Sequence, residues 1–254
     1  MPGPPAMAGG YPSKWRWTGP GRVQGDVGDQ AGPRPDGARH LAAFLRRGLA
    51  RVPFATALWL AVAAVGIWTG TWRHELHPAK LQRWGEGLEQ LWNGRWWTLL
   101  TDTVFVHGPV MYWGILAFIP VSVGVYEWLA GSRRALVVFW LTDIAGSLAV
   151  ALGIVLPLYL SGIVVADLLP FANDVGMSGG GFGCVGATMR HLPRRRRRPI
   201  TVLITVYLLL HFATLLDFGA DTLHLLTFGG GLVLGRWLGR DAADPTDGED
   251  PCRA

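Results

Sequence analysis

The stretch "DVGMSGGGFGCVGA", Asp174 to Ala187, sets one serine among six glycines inside a chain that is otherwise strongly apolar. Such a cluster can serve close packing of helices, or it can clear space around a nucleophile, and the surrounding sequence bears on the choice. The chain has 254 residues, 50% of them hydrophobic, with 13 tryptophans, 16% charged residues and a mean hydropathy of +0.27. A soluble domain is usually about 25% charged, so low charge with long apolar runs predicts an integral membrane protein. The net charge of +5 does not point to nucleic acid, because the arginines cluster beside apolar segments and so mark topology. Two cysteines, Cys184 in an apolar segment and Cys252 in a polar tail, do not make a disulfide framework.

Outward from the glycine cluster, apolar runs predict six spans: 53–72, 107–129, 135–158, a short one at 176–189, 199–216 and 222–238. Residues 1–39, rich in Gly and Pro, are expected to be a disordered cytoplasmic segment. Residues 40–240 form the expected membrane domain, and 241–254 an acidic cytoplasmic tail. The connection from Arg73 to Val104 is too mixed to span, but its "LWNGRWW" carries interfacial tryptophan. Basic residues fall on alternate loops: Arg46, Arg47 and Arg51, then Arg133 and Arg134, then Arg190 with Arg194 to Arg198, then Arg236 and Arg240. The linkers 161–175 and 217–221 hold no Lys or Arg, which places both termini in the cytoplasm. The run Arg194 to Arg198 reads as a solvated loop drawn to anionic lipid.

Polar residues inside a bilayer are functional candidates because they are expensive to keep there. Ser178 precedes Arg190 by twelve residues and His224 precedes Arg236 by twelve. At about 1.5 Å per residue both lie roughly 18 Å above the cytoplasmic boundary, on helices running the same way. That is the minimum for a Ser–His dyad, in which imidazole takes the hydroxyl proton. Gly179, Gly183 and Ala187 recur on one helical face, and Gly231 and Gly235 on another, so the two helices can approach closely. Packing alone would also explain these glycines and would leave Ser178 incidental. Asp143, deep in the third span, reads as a structural hydrogen-bonding residue, a cavity wall or a partner for His211. His107 reads as a loop anchor, His211 as a satisfied interior histidine, and Asp217 and Asp221 as caps of the sixth span in preference to groups that orient His224.

These motifs resemble those of the rhomboid intramembrane serine proteases. The family's G-x-S-G-x-x-x-G-x-x-G is matched by Gly176, Ser178, Gly179, Gly183 and Gly186, and its sixth-helix H-x-x-G-x-x-x-G by His224 and Gly231, with Thr227 at the middle glycine. "GRWWTLLTDTVFVHG" is similar to the Trp-rich first loop, and Glu127, Gly131 and Ser132 to the E-x-x-x-G-S that ends the second helix. The resemblance covers residues 53–238, and in general character it is nearest to divergent actinobacterial rhomboid-like proteins. It implies an all-α, polytopic, six-helix bundle in a bacterial plasma membrane, without cofactor or metal. Ser178 would be nucleophile and His224 general base, acting on transmembrane segments of other membrane proteins. Three further positions depart from the pattern. Thr98 stands where an arginine is usual, Tyr112 at or beside the second-helix histidine, and Ile115 or Leu116 at the asparagine. The oxyanion would then rest on the backbone N–H groups of Ser178 and Gly179, with the Tyr112 hydroxyl as a replacement donor; one lost donor costs about 10²–10³ in rate. The rival expectation is a catalytically silent rhomboid-like protein that binds membrane helices. A small transporter is less favoured, because the sequence shows neither an inverted repeat nor paired broken helices.

Overall fold

The computed structural model describes residues 48–162, 173–215 and 218–238. The expected disordered segment 1–39, the acidic tail and most of the 161–175 linker lie outside the described residues, as does Asp217. Among the described residues the chain is all-α, with nine helices. They are α1 (Pro53–Thr69), α2 (Pro78–Trp84), α3 (Leu88–Trp92), α4 (Thr98–Thr101), α5 (Pro109–Ala130), α6 (Ser132–Leu160), α7 (Ser178–Thr188), α8 (Arg194–Leu215) and α9 (Phe218–Leu238). Helices α5, with 22 residues, and α6, with 29, are long and apolar enough to cross a membrane, whereas the apolar α1 is shorter.

Helices stand at all six places where apolar runs predict them, with shifted ends. Helix α8 starts at Arg194 rather than Pro199, because arginine is a good helix former and the chain winds through the run before the proline. Helix α9 starts at Phe218, which puts Asp221 inside its first turn rather than at the expected cap.

The beginning of α1 lacks a side-chain cap of its own. Glu127, 1% exposed near the end of α5, supplies one: its two carboxylate oxygens accept the Phe54 and Ala55 N–H groups at 2.9 and 2.7 Å. A carboxylate there also meets the positive end of the helix dipole. Gly131, at φ 86°, then makes the sharp left-handed turn into α6 that disfavours any side chain. Midway along α5, Pro120 has no N–H to give the Leu116 carbonyl, and the helix relaxes into a π-turn over Pro120–Gly124. The freed Leu116 oxygen accepts the Trp59 indole N–H at 3.0 Å.

The core forms where α1, α5, α6 and α7 meet, around Val62, Ile119, Val123, Tyr126, Val138, Phe139 and Cys184. Helices α7 and α9 touch backbone to backbone. A β-carbon at Gly231 would overlap the Gly183 carbonyl, and one at Gly235 would sit 2.9 Å from Ala187. The two small-residue faces expected from the sequence therefore meet. On the other side of α7, Gly183 abuts Thr142 and Gly180 abuts Phe139. The connection between α1 and α5 lies over the ends of these helices, with Leu88 against Val150, Val155 and Leu223, and with Leu91 and Leu99 against Ala151. Outward-facing positions stay apolar: Val110 is 91% exposed, and Trp113, Leu60, Leu203, Leu210 and Trp237 are also exposed.

Candidate active site

Ser178 is the first residue of α7, and His224 lies on α9. The glycine-lined crossing described above brings the two together, with His224 Nε2 2.8 Å from Ser178 Oγ. Both are half-buried. One turn beyond the serine, the Phe182 ring lies 4.7 Å from the imidazole centroid and limits its tilt.

The turn that presents Ser178 depends on Gly176, at φ 144°, a conformation that side chains rarely adopt. Its N–H donates to the Asp102 carbonyl at 3.1 Å. Just before it, Asp174 and Glu86 exchange two backbone hydrogen bonds of 2.8 and 2.9 Å. The Asp174 carboxylate accepts from Val175 N–H at 2.8 Å and lies 3.1 Å from His107 Nε2. The first connection therefore clamps the approach to the nucleophile, with His107 as the anchor expected from sequence.

Four carboxyl groups gather on this clamp and on α6: Glu86, Asp102, Asp143 and Asp174. Burial pushes Glu86 up to about 8, helped by the charges of Asp143 and Asp174, while the Ser147 hydroxyl donates to it at 2.8 Å and opposes the rise. Burial, then the neighbouring Glu86 and Asp143, likewise holds Asp102 well above the carboxylate range. Among the described residues no three His, Cys, Asp or Glu side chains converge as metal ligands would.

The other sequence candidates fall as follows. Gly179 is the second residue of α7 and has no room for a side chain, since a β-carbon would stand 2.5 Å from Asp143 Oδ1. The Tyr112 ring fills a notch at Gly66, and its hydroxyl donates to the Ala63 carbonyl of α1 at 3.4 Å, so the structure does not bring it to the dyad. Ile115 and Leu116 are buried in the core. Thr98 is buried and donates to the Arg95 carbonyl, and Thr227 donates to the carbonyl of His224. Asp143 does not pair with His211; it accepts from Gly180 N–H and Thr103 O–H. His211 instead lies 2.6 Å from Asp221, a buried carboxylate. Phe182 and the Glu86–Asp174 clamp were not legible as parts of a site, the first because an aromatic one turn from a serine reads as core, the second because it joins residues 88 apart. Compared with protein-family models, curated proteins and solved structures, the chain matches none.

Proposed function

We propose that this chain is an intramembrane serine protease of rhomboid-like architecture, with six membrane-crossing helices (α1, α5, α6, α7, α8 and α9) and both termini in the cytoplasm. The observation that carries the proposal is the 2.8 Å approach of His224 Nε2 to Ser178 Oγ at the amino end of α7. The exposed apolar positions on these helices and the alternation of basic and bare loops support the membrane setting.

In the proposed reaction, neutral His224 accepts the Ser178 proton as Oγ attacks the scissile carbonyl of a locally unwound transmembrane segment. The tetrahedral oxyanion is met by the N–H groups of Ser178 and Gly179, where the helix dipole adds positive potential. His224 then gives its proton to the leaving amine, and the acyl-enzyme forms. Water, deprotonated by His224, attacks the ester, and Ser178 recovers its proton. No cofactor enters this sequence.

A second reading has one observation in its favour. The Tyr112 hydroxyl is engaged on α1 and Ile115 and Leu116 are buried, so none of these three α5 side chains supplies an oxyanion donor. On that reading the protein holds membrane helices without cutting them. Proteoliposomes carrying synthetic transmembrane peptides with Gly or Pro near the outer third separate the two. Cleavage by the wild type that Ser178→Ala abolishes supports the protease; capture of the same peptides by both proteins, uncut, supports the binder.

A further inference from the structure

The first turn of α7 poses an accounting problem. Its N–H groups at Ser178, Gly179 and Gly180 have no acceptor within the helix, and Met177 at the cap position offers no side-chain oxygen. Gly181 is the first to bond inward, to the Met177 carbonyl at 3.0 Å. An ordinary cap, a Ser or Asp in place of Met177, would accept the second or third amide of the helix. The second is that of Gly179, one of the two amides the proposed oxyanion needs.

The structure satisfies this end from a neighbouring helix. Asp143 of α6, 3% exposed, takes the Gly180 N–H on Oδ1 at 2.7 Å, while its Oδ2 faces the Thr103 hydroxyl at 3.4 Å. A buried acid is costly, and a short bond to an amide at the positive end of a helix offsets part of that cost. The carboxylate comes this close only because residue 179 has no β-carbon. The Ser178 and Gly179 amides keep no acceptor among the described residues.

We propose that Asp143 is a positioning residue for the nucleophile: by holding the third amide of α7 from α6, it fixes the first turn and leaves the two preceding amides to the oxyanion. The role rests on the protease reading. It also gives the glycine at 179 a second purpose besides helix packing, since any side chain there would displace the carboxylate.

The test is the time course of fluorophosphonate labelling of the purified full-length chain, over a range of probe concentrations, for wild type, Asp143→Asn and Asp143→Ala. Asparagine keeps a carbonyl oxygen for the Gly180 amide, so its maximal labelling rate should stay within about threefold of wild type. Alanine should lower that rate by about ten- to a hundredfold, the scale of a misplaced oxyanion donor, with the half-saturating probe concentration unchanged. A drop of more than about tenfold in Asp143→Asn overturns the capping role, and this holds even if Asp143→Ala does not fold. Equal rates for Asp143→Ala and a labelled wild type overturn the role of Asp143 alone. A wild type that no probe labels overturns the protease reading and this role with it.

Discussion

At the scale of single residues, two acids make separable demands. Glu127 satisfies two amides of α1, and hydrogen bonds to a charged group are each worth about 1.5–3 kcal/mol. Glu127→Ala should therefore cost about 3–6 kcal/mol, read as a lower melting temperature in detergent; Glu127→Gln, which keeps one oxygen, should lose less. Glu86 carries a pH dependence. Its carboxyl rises from the ordinary 4.5 to about 8 on folding, so the folded chain holds a proton that the unfolded chain releases. Its stabilising share is complete below pH 4.5 and is lost as pH rises through 8. Asp102 acts in the same direction. Thermal melts should fall across that window, and Glu86→Gln should flatten the fall; an unchanged slope in the variant would assign the effect to other groups.

At the scale of elements, the crossing of α7 and α9 determines whether the dyad exists. A β-carbon at Gly231 would strike the Gly183 backbone, whereas nothing lies within 4 Å of one at Gly229. Gly231→Ala should thus cost about 1–3 kcal/mol through overpacking, and Gly229→Ala should be neutral or slightly stabilising, as paired melts would show. This crossing was legible in the sequence, because small residues four apart mark a face wherever the helix goes. So were helices at the six predicted places, two of them long and apolar enough to cross a membrane, and the approach of His224 to Ser178, which matched distances from Arg190 and Arg236 suggest. Local pattern did not reach further. The partner of Asp143 lies 37 residues away, on an amide that any acceptor can serve. The π-turn at Pro120 depends on a tryptophan of another helix to take up the freed carbonyl. Asp221 was misassigned as a cap because α9 begins three residues earlier, where its buried carboxylate meets His211 instead.

At the scale of the whole molecule, the proposal places the α1–α5 connection outside the cell and both termini within it. A membrane-impermeant maleimide should label Asn93→Cys, an exposed position in that connection, in intact cells. It should reach Cys252 of the C-terminal tail only after the membrane is opened; labelling of Cys252 in intact cells would reverse the topology. Asp143 and the clamp of the first connection meet at the amino end of α7, and the glycine crossing brings α9 against that helix, so the account turns on whether Ser178 is an activated nucleophile. Purified wild type, Ser178→Ala and His224→Ala should be treated with a fluorophosphonate probe and the adduct mapped by mass spectrometry. The account predicts one adduct, on Ser178, absent from both variants. Folded wild type that stays unmodified across several probes and lipids, or an adduct that persists in His224→Ala at the same rate, would contradict it.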